Sequence, residues 1–233
     1  MGKTSEVEYL ATLNKISRAI TSDLYLEDIL KLIVNLTAGV MKAKICAFWL
    51  LNEETQELTI RATQAMSREY LKKRAIKVGE GIVGFVAQDK KPMVIEDVLQ
   101  DKRYKEKPLA KKEGLVSMLS VPMMVKDRVV GVLNVYTVKP KKFSKTDIDL
   151  LCVVANQAAV AIENTELMVK TKVIQEELET RKKVEKAKGI LMRQQEITED
   201  AAYNLMRKSS MNKRVSMKEV AEAIILSFEI SAG

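Results

Sequence analysis

Apolar positions early in the chain recur at helical spacing. Tyr9, Leu10, Leu13, Ile16 and Ile20 share one helix face, behind a Ser5-Glu6-Val7-Glu8 capping box. Asp23 is the expected cap of a second helix, which carries Leu26, Ile29, Leu30, Ile33, Val34 and Val40. Two helices in succession predict a helical layer on one side of a sheet. The pattern then changes. Lys44 to Leu51 is rich in β-branched and aromatic residues, and Leu58 to Thr63 alternates as a half-buried strand does. The polar turn Asn52-Glu53-Glu54-Thr55 makes the two an antiparallel hairpin. Pro92 to Val98 reads as a short edge strand with proline at its start. Asp101 to Glu113 is a charged loop with room for a short helix. Met118–Val125 and Arg128–Thr137 are further strands, joined by the tight turn Lys126-Asp127. Ser144 caps a long helix containing Ile148, Leu151, Val154, Ala158, Ala161 and Ile162.

This order of helices and strands predicts an α+β fold on an antiparallel sheet. The stretch Gly79-Glu80-Gly81-Ile82-Val83-Gly84 leads into a helix, and a glycine-rich loop there can cradle phosphate. No Gly-Lys-Ser/Thr follows and no βαβ unit surrounds it, so a tight turn seating helix on sheet is the better account. The long helix meets no obvious breaker before Gly189. Val153, Val160, Leu167 and Ile174 fall at one heptad position, and Gln157, Asn164, Thr171 and Leu178 at the other. That is an imperfect coiled-coil seam, read as a parallel dimer; a single solvated connecting helix is the alternative.

At the far end of that helix, Val184, Ala187, Ile190 and Leu191 line one face, while Lys182, Lys183, Lys186, Lys188 and Arg193 lie off it. Gly189 costs an exposed helix about 1 kcal/mol relative to alanine. With Ala187 it suggests a bare strip of backbone, there either for close packing against a neighbouring helix or for close approach of a nucleobase. Thr198 is a good N-cap with Glu199 and Asp200 in the first turn, ahead of the stripe Ala201, Ala202, Leu205 and Met206. Ser216-Met217-Lys218-Glu219 is a capping box before Val220, Ala221, Ile224 and Ile225. The sum is a three-helix unit with turns at 194–197 and 210–215.

Composition narrows the chemistry. The 233 residues carry a formal charge of +8 and are 47% hydrophobic, enough for two domains with real cores and favouring a polyanionic partner. There is no histidine, which removes imidazole general bases, Ser-His-Asp triads and histidine metal ligands. Cys46 and Cys152 sit among apolar neighbours and read as inert buried thiols; no zinc site or other cofactor is expected. No apolar run approaches the roughly 18–20 residues of a membrane helix, and Met1 to Glu6 has no signal-peptide pattern. A cytoplasmic protein without a membrane partner is expected.

Two resemblances sharpen this reading. Ala187-Lys188-Gly189-Ile190-Leu191-Met192, then Ala201-Ala202-Tyr203 and Leu205, then Val220-Ala221, resembles the ANTAR family of RNA-binding transcription antiterminators. The resemblance implies binding to paired stem-loops in nascent RNA, preventing a terminator hairpin. Gly79 to Gly84, Pro92 to Val98, Ser120-Val121-Pro122, Gly131-Val132-Leu133-Asn134-Val135, Phe143 with Asp147, and Gln157 to Asn164 resemble GAF domains, which often act as small-molecule or redox sensors. That family's cyclic-nucleotide signature is partial: Phe143 and Asp147 match, but Ile148 replaces the acid and the Asn-Lys pair is missing. The expected organisation is a GAF-like sensor at 5–164, a helical or coiled-coil connector at 165–180 and an ANTAR unit at 181–230. The expected function is an RNA-binding antitermination regulator and not an enzyme, with stem-loop RNA, a second copy of the chain and an unidentified small ligand of the sensor as partners. The RNA-binding candidates are Arg181, Lys182, Lys188, Gly189, Met192, Arg193, Tyr203, Asn212 and Arg214. Tyr203 can stack on a base or pack in the bundle. Two rivals stand beside this reading. A helix-turn-helix DNA regulator would read with 216–230, against the acids Glu219, Glu222 and Glu229. A GAF-type sulfoxide reductase would need reactive cysteines.

Overall fold

The computed structural model describes residues 2–22, 24–63 and 75–231. The chain divides into two compact units, Met1–Thr165 and Glu166–Gly233. The first contains α1 (Gly2–Ile20), α2 (Leu26–Met41), β1 (Ile45–Asn52), β2 (Glu57–Thr63), β3 (Ala75–Lys77), α3 (Gly81–Asp89), β4 (Met93–Ile95), α4 (Lys107–Glu113), β5 (Ser117–Val125) and β6 (Arg128–Thr137). Helix α5 (Lys145–Gln195) begins in the first unit and ends in the second, which adds α6 (Glu199–Lys213) and α7 (Met217–Ser231). The fold is α+β.

The six strands form one sheet in the order β3-β2-β1-β6-β5-β4, with every neighbouring pair antiparallel. Side chains alternate across it, so the sheet feeds two cores. On one face Cys46, Phe48, Leu119, Val121, Leu133 and Val135 pack under α2 and the start of α5, with Ile16 of α1. On the other, Ile45, Ala47, Trp49, Met118, Val132 and Tyr136 pack with Ile82, Val83, Val86 and Ala87 of α3 and Leu109 and Ala110 of α4. Two backbone approaches fix the arrangement. A Cβ on Gly84 would lie 2.2 Å from the Lys77 carbonyl oxygen, and one on Gly131 would lie 2.2 Å from that of Trp49. The glycine-rich stretch therefore seats α3 against the strand before it.

Several details depart from the sequence reading. Helix α1 already runs from Gly2, so Ser5 lies within it rather than at its cap. Asp23 lies outside the described residues, and the N-cap of α2 is Tyr25, which makes no side-chain cap bond. The short strand β3 carries no alternation long enough to be read in advance. The charged loop does hold a helix, α4, with proline in its first turn where the missing N–H costs nothing. Gly189 lies inside α5, which runs on to Gln195 and the turn expected at 194–197. Helix α6 continues to Lys213, so the last turn narrows to Arg214–Ser216. Among the described residues no helix is long and apolar enough to cross a membrane.

Candidate nucleic-acid interface

The second unit is held by small residues. Ala187 and Leu191 of α5, Ala202 and Met206 of α6, and Val220 and Ala221 of α7 form its core, and the alanines let three backbones approach closely. Both caps predicted from sequence are present. The Thr198 hydroxyl accepts from the Ala201 amide at 3.4 Å. At α7, the Ser216 amide donates to Glu219 Oε2 at 2.7 Å and the Glu219 amide donates back to Ser216 Oγ at 3.2 Å. The Ser216 bonds also hold the Glu219 carboxyl below the usual carboxylate range.

Against this frame the predicted lysine of the motif turns inward. Lys188 is 7% exposed. Its ammonium sits 2.6 Å from Glu199 Oε1 and 2.9 Å from Glu185 Oε1. Glu199, then Glu185, hold that ammonium above its ordinary pKa, and Lys188 holds the Glu199 carboxyl below its own. Lys188 therefore ties α5 to the first turn of α6. Contact with phosphate would require it to leave two carboxylates. Two more lysines of α5 are engaged with α7: Lys183 with Glu222 at 2.6 Å and Lys186 with Glu229 at 2.9 Å. Gly189 meets nothing within 4 Å of a built Cβ, so close packing does not explain it. Ala187, fully buried, faces the core instead; the two do not form one strip.

Four of the remaining candidates fall into two groups. Arg181 and Tyr203 line one groove of about 540 Å³, with Val173, Val184, Met217 and Lys218. Its acidic lining residues Glu176, Glu177 and Glu185 give it a mixed character. Tyr203 is 44% exposed and does not close into the core. Asn212 and Arg214 lie at the other end of α6, about 16 Å along its axis from Tyr203. Arg214 is the C-cap, at φ 54°, donating its amide to the Ser210 carbonyl. Arg207, Lys208 and Lys213 surround that corner, exposed and without an ion pair among the described residues. Cations at a helix C-terminus also suit its dipole. Lys182 is exposed. Arg193 is exposed and donates Nε–H to the Gly189 carbonyl at 3.1 Å. Met192 is half-buried against the core. Arg207 and Lys218 were not singled out in advance; the spacing of Arg207 four residues after Tyr203 was the available signal.

Comparison with known proteins places both halves. The GAF domain family matches residues 25–162, and the ANTAR domain family matches residues 172–225. The chain belongs to the GAF–ANTAR proteins. This GAF–ANTAR chain is 25% identical over 215 residues to a Nif-specific regulatory protein of Herbaspirillum seropedicae, covering 87% of this chain and 40% of the relative. It is 36% identical over 90 residues to the transcriptional regulatory protein PdtaR of Mycobacterium tuberculosis, covering 39% of this chain and 42% of that protein. The chain thus spans about two fifths of the length of these curated relatives. Among solved structures, the GAF domain of an Acinetobacter phosphoenolpyruvate-protein phosphotransferase superposes with a TM-score of 0.61 at 28% identity, covering 70% of this chain and 97% of that one.

Proposed function

We propose that this GAF–ANTAR protein is a transcription antitermination regulator whose C-terminal unit binds paired stem-loops in nascent RNA under the control of its N-terminal sensor. The observation that carries the reading is the ANTAR match over a three-helix unit with a basic corner at Arg207, Lys208, Lys213 and Arg214 that is unpaired among the described residues. Arg181, Lys182, Arg193, Asn212 and Arg214 contact phosphate and loop edges; Tyr203 offers a face for a base; Gly189 leaves open backbone and Met192 a soft edge. Lys188 acts through Glu199, holding α6 in place.

Ion pairing argues against the DNA rival. The outer acids of α7, Glu222 and Glu229, are tied to Lys183 and Lys186, so α7 presents paired charge rather than a groove-reading face. The redox rival also lacks support, since burial pushes the Cys46 thiol far up and raises Cys152 as well.

The test is a gel-shift series with two-hairpin RNA, one-hairpin RNA and matched duplex DNA. Two-hairpin RNA binds best, and the triple variant Arg207→Ala, Lys208→Ala, Arg214→Ala lowers affinity and makes its salt dependence shallower by about two to three units of slope. Equal affinity for duplex DNA, or an unchanged salt slope in the triple variant, overturns the reading.

A further inference from the structure

Within the first unit, on the sheet face under α3 and α4, lies a cavity of about 210 Å³. Trp49 of β1, Met118 of β5 and Tyr136 of β6 line it from the sheet, Tyr104 and Leu109 from the opposite side. Gly81, Ile82 and Val83, the first turn of α3, line it as well. Glu80 and Lys105 are also in the lining and form an ion pair with each other.

Three features describe what fits. The first is a donor without an acceptor: Trp49 is 3% exposed, and its indole N–H has no hydrogen-bond partner among the described residues. Buried donors are rarely left so. The second is the helix end beside it. The amides of Gly81, Ile82 and Val83 make no hydrogen bond among the described residues, and the N-cap Glu80 supplies no side-chain cap. The first turn of α3, with its free amides and the positive end of its dipole, therefore lines the same cavity as Trp49. The third is the shape of the rest. Tyr104 and Tyr136 pack edge to face at 6.4 Å and 72°, and with Met118, Leu109 and Ile76 they make an apolar enclosure suited to a flat ring.

Size and charge restrict the ligand further. A cavity of roughly 150 Å³ holds benzene, and the remainder here is about two water volumes, room for one carboxyl-sized group. Glu80 and Glu106 beside Lys105, the one cation among the described lining residues, disfavour a second carboxylate.

We propose that this cavity binds a small aromatic monocarboxylate, its ring held by Tyr104, Tyr136 and Met118 and its carboxylate taken by the Trp49 indole N–H and the first-turn amides of α3. The inference rests on the N-terminal unit being the sensing half of the regulator.

Trp49 is the single tryptophan of the chain, so its fluorescence reports the cavity directly. The full-length protein is titrated with benzoate, benzamide and benzylamine, with calorimetry alongside. Benzoate shifts Trp49 emission and binds roughly tenfold tighter than benzamide, as a charge-assisted acceptor should, while benzylamine does not bind. Lys105→Gln weakens benzoate severalfold and Glu80→Gln tightens it; both side chains are exposed, so the fold is kept in each. Trp49→Phe, followed by calorimetry, weakens benzoate. Equal or tighter binding of benzamide or benzylamine overturns the proposal, as does no binding of benzoate into the millimolar range or a Glu80→Gln variant that binds it less well. Those results would leave the RNA gel shift unchanged, and a failed gel shift would leave the fluorescence titration unchanged, so the two readings fail separately.

Discussion

Asp147 shows how much one side chain can join. It is 7% exposed in the first turn of α5. One oxygen accepts from the Ser144 amide at 2.9 Å and the Ser144 hydroxyl at 2.8 Å. The other accepts from the Tyr9 hydroxyl and the Lys141 ammonium, each at 3.2 Å. Lys141 in turn donates to the Met41 carbonyl at 3.1 Å, so the carboxylate links α1, the end of α2 and α5. Burial pushes the Asp147 carboxyl up, but the Ser144 bonds and Lys141 outweigh it and hold it below the usual aspartate range. A carboxyl depressed in the folded state stabilises above its unfolded pKa of about 4, and that stability is lost as pH falls through the lower folded value. Asp147→Asn should cost about 1–3 kcal/mol at neutral pH and flatten the acid limb of the stability curve. Urea melts of both proteins between neutral pH and pH ~3 check this; an unchanged acid limb would show that Asp147 does not set it. The sequence pointed to Ser144 as a cap and to Asp147 through the GAF resemblance. Tyr9 and Lys141 were not legible, because Tyr9 reaches Asp147 only after α1 has packed and Lys141 only as the loop before α5 folds back.

Elements were most legible where local chemistry decides them. The Ser216–Glu219 box and the Thr198 cap form as the spacing requires, and β1, β2, β5 and β6 lie within a residue or so of their expected ends. Element ends drifted where tertiary packing overrode local preference. Arg214 in the left-handed region closes α6 later than its serines suggested. Gly189 stays within α5, as expected, where the flanking Ala187, Ile190 and Leu191 are buried. The site was half legible. Lys188 is spaced correctly for Glu185 one turn earlier, yet Glu199 lies across a turn that no periodicity reveals. At this scale, Ser216→Ala removes the N-cap acceptor of α7 and should cost the C-terminal unit about 1 kcal/mol. Thermal melts should show that loss, with Ser216→Asp restoring it; a melt unchanged by alanine would mean that α7 is held by its core contacts alone.

At the scale of the whole molecule, the long helix offers a surface for assembly. Along α5, Val153, Val160, Leu167, Ile174 and Leu178 are all exposed, an apolar seam that a lone chain leaves in water. A parallel dimer would cover it and bring two C-terminal units together, which under the proposed function would raise avidity for RNA through effective concentration by roughly 10²–10⁴-fold. Leu167→Asp with Ile174→Asp would place charge in that seam and should yield a monomer in light scattering that no longer prefers two-hairpin over one-hairpin RNA. A wild-type monomer, or a double variant that keeps the preference, would leave α5 as a spacer.

The enclosure of Lys188 also has a chemical consequence. An amine that is kept protonated between two carboxylates and shielded from solvent is a poor nucleophile, so acylating reagents that modify the exposed Lys182, Lys208 and Lys213 should pass it over. Its acylation rate is thus a built-in gauge of whether α6 remains docked on α5: the amine becomes reactive only when the three-helix unit opens.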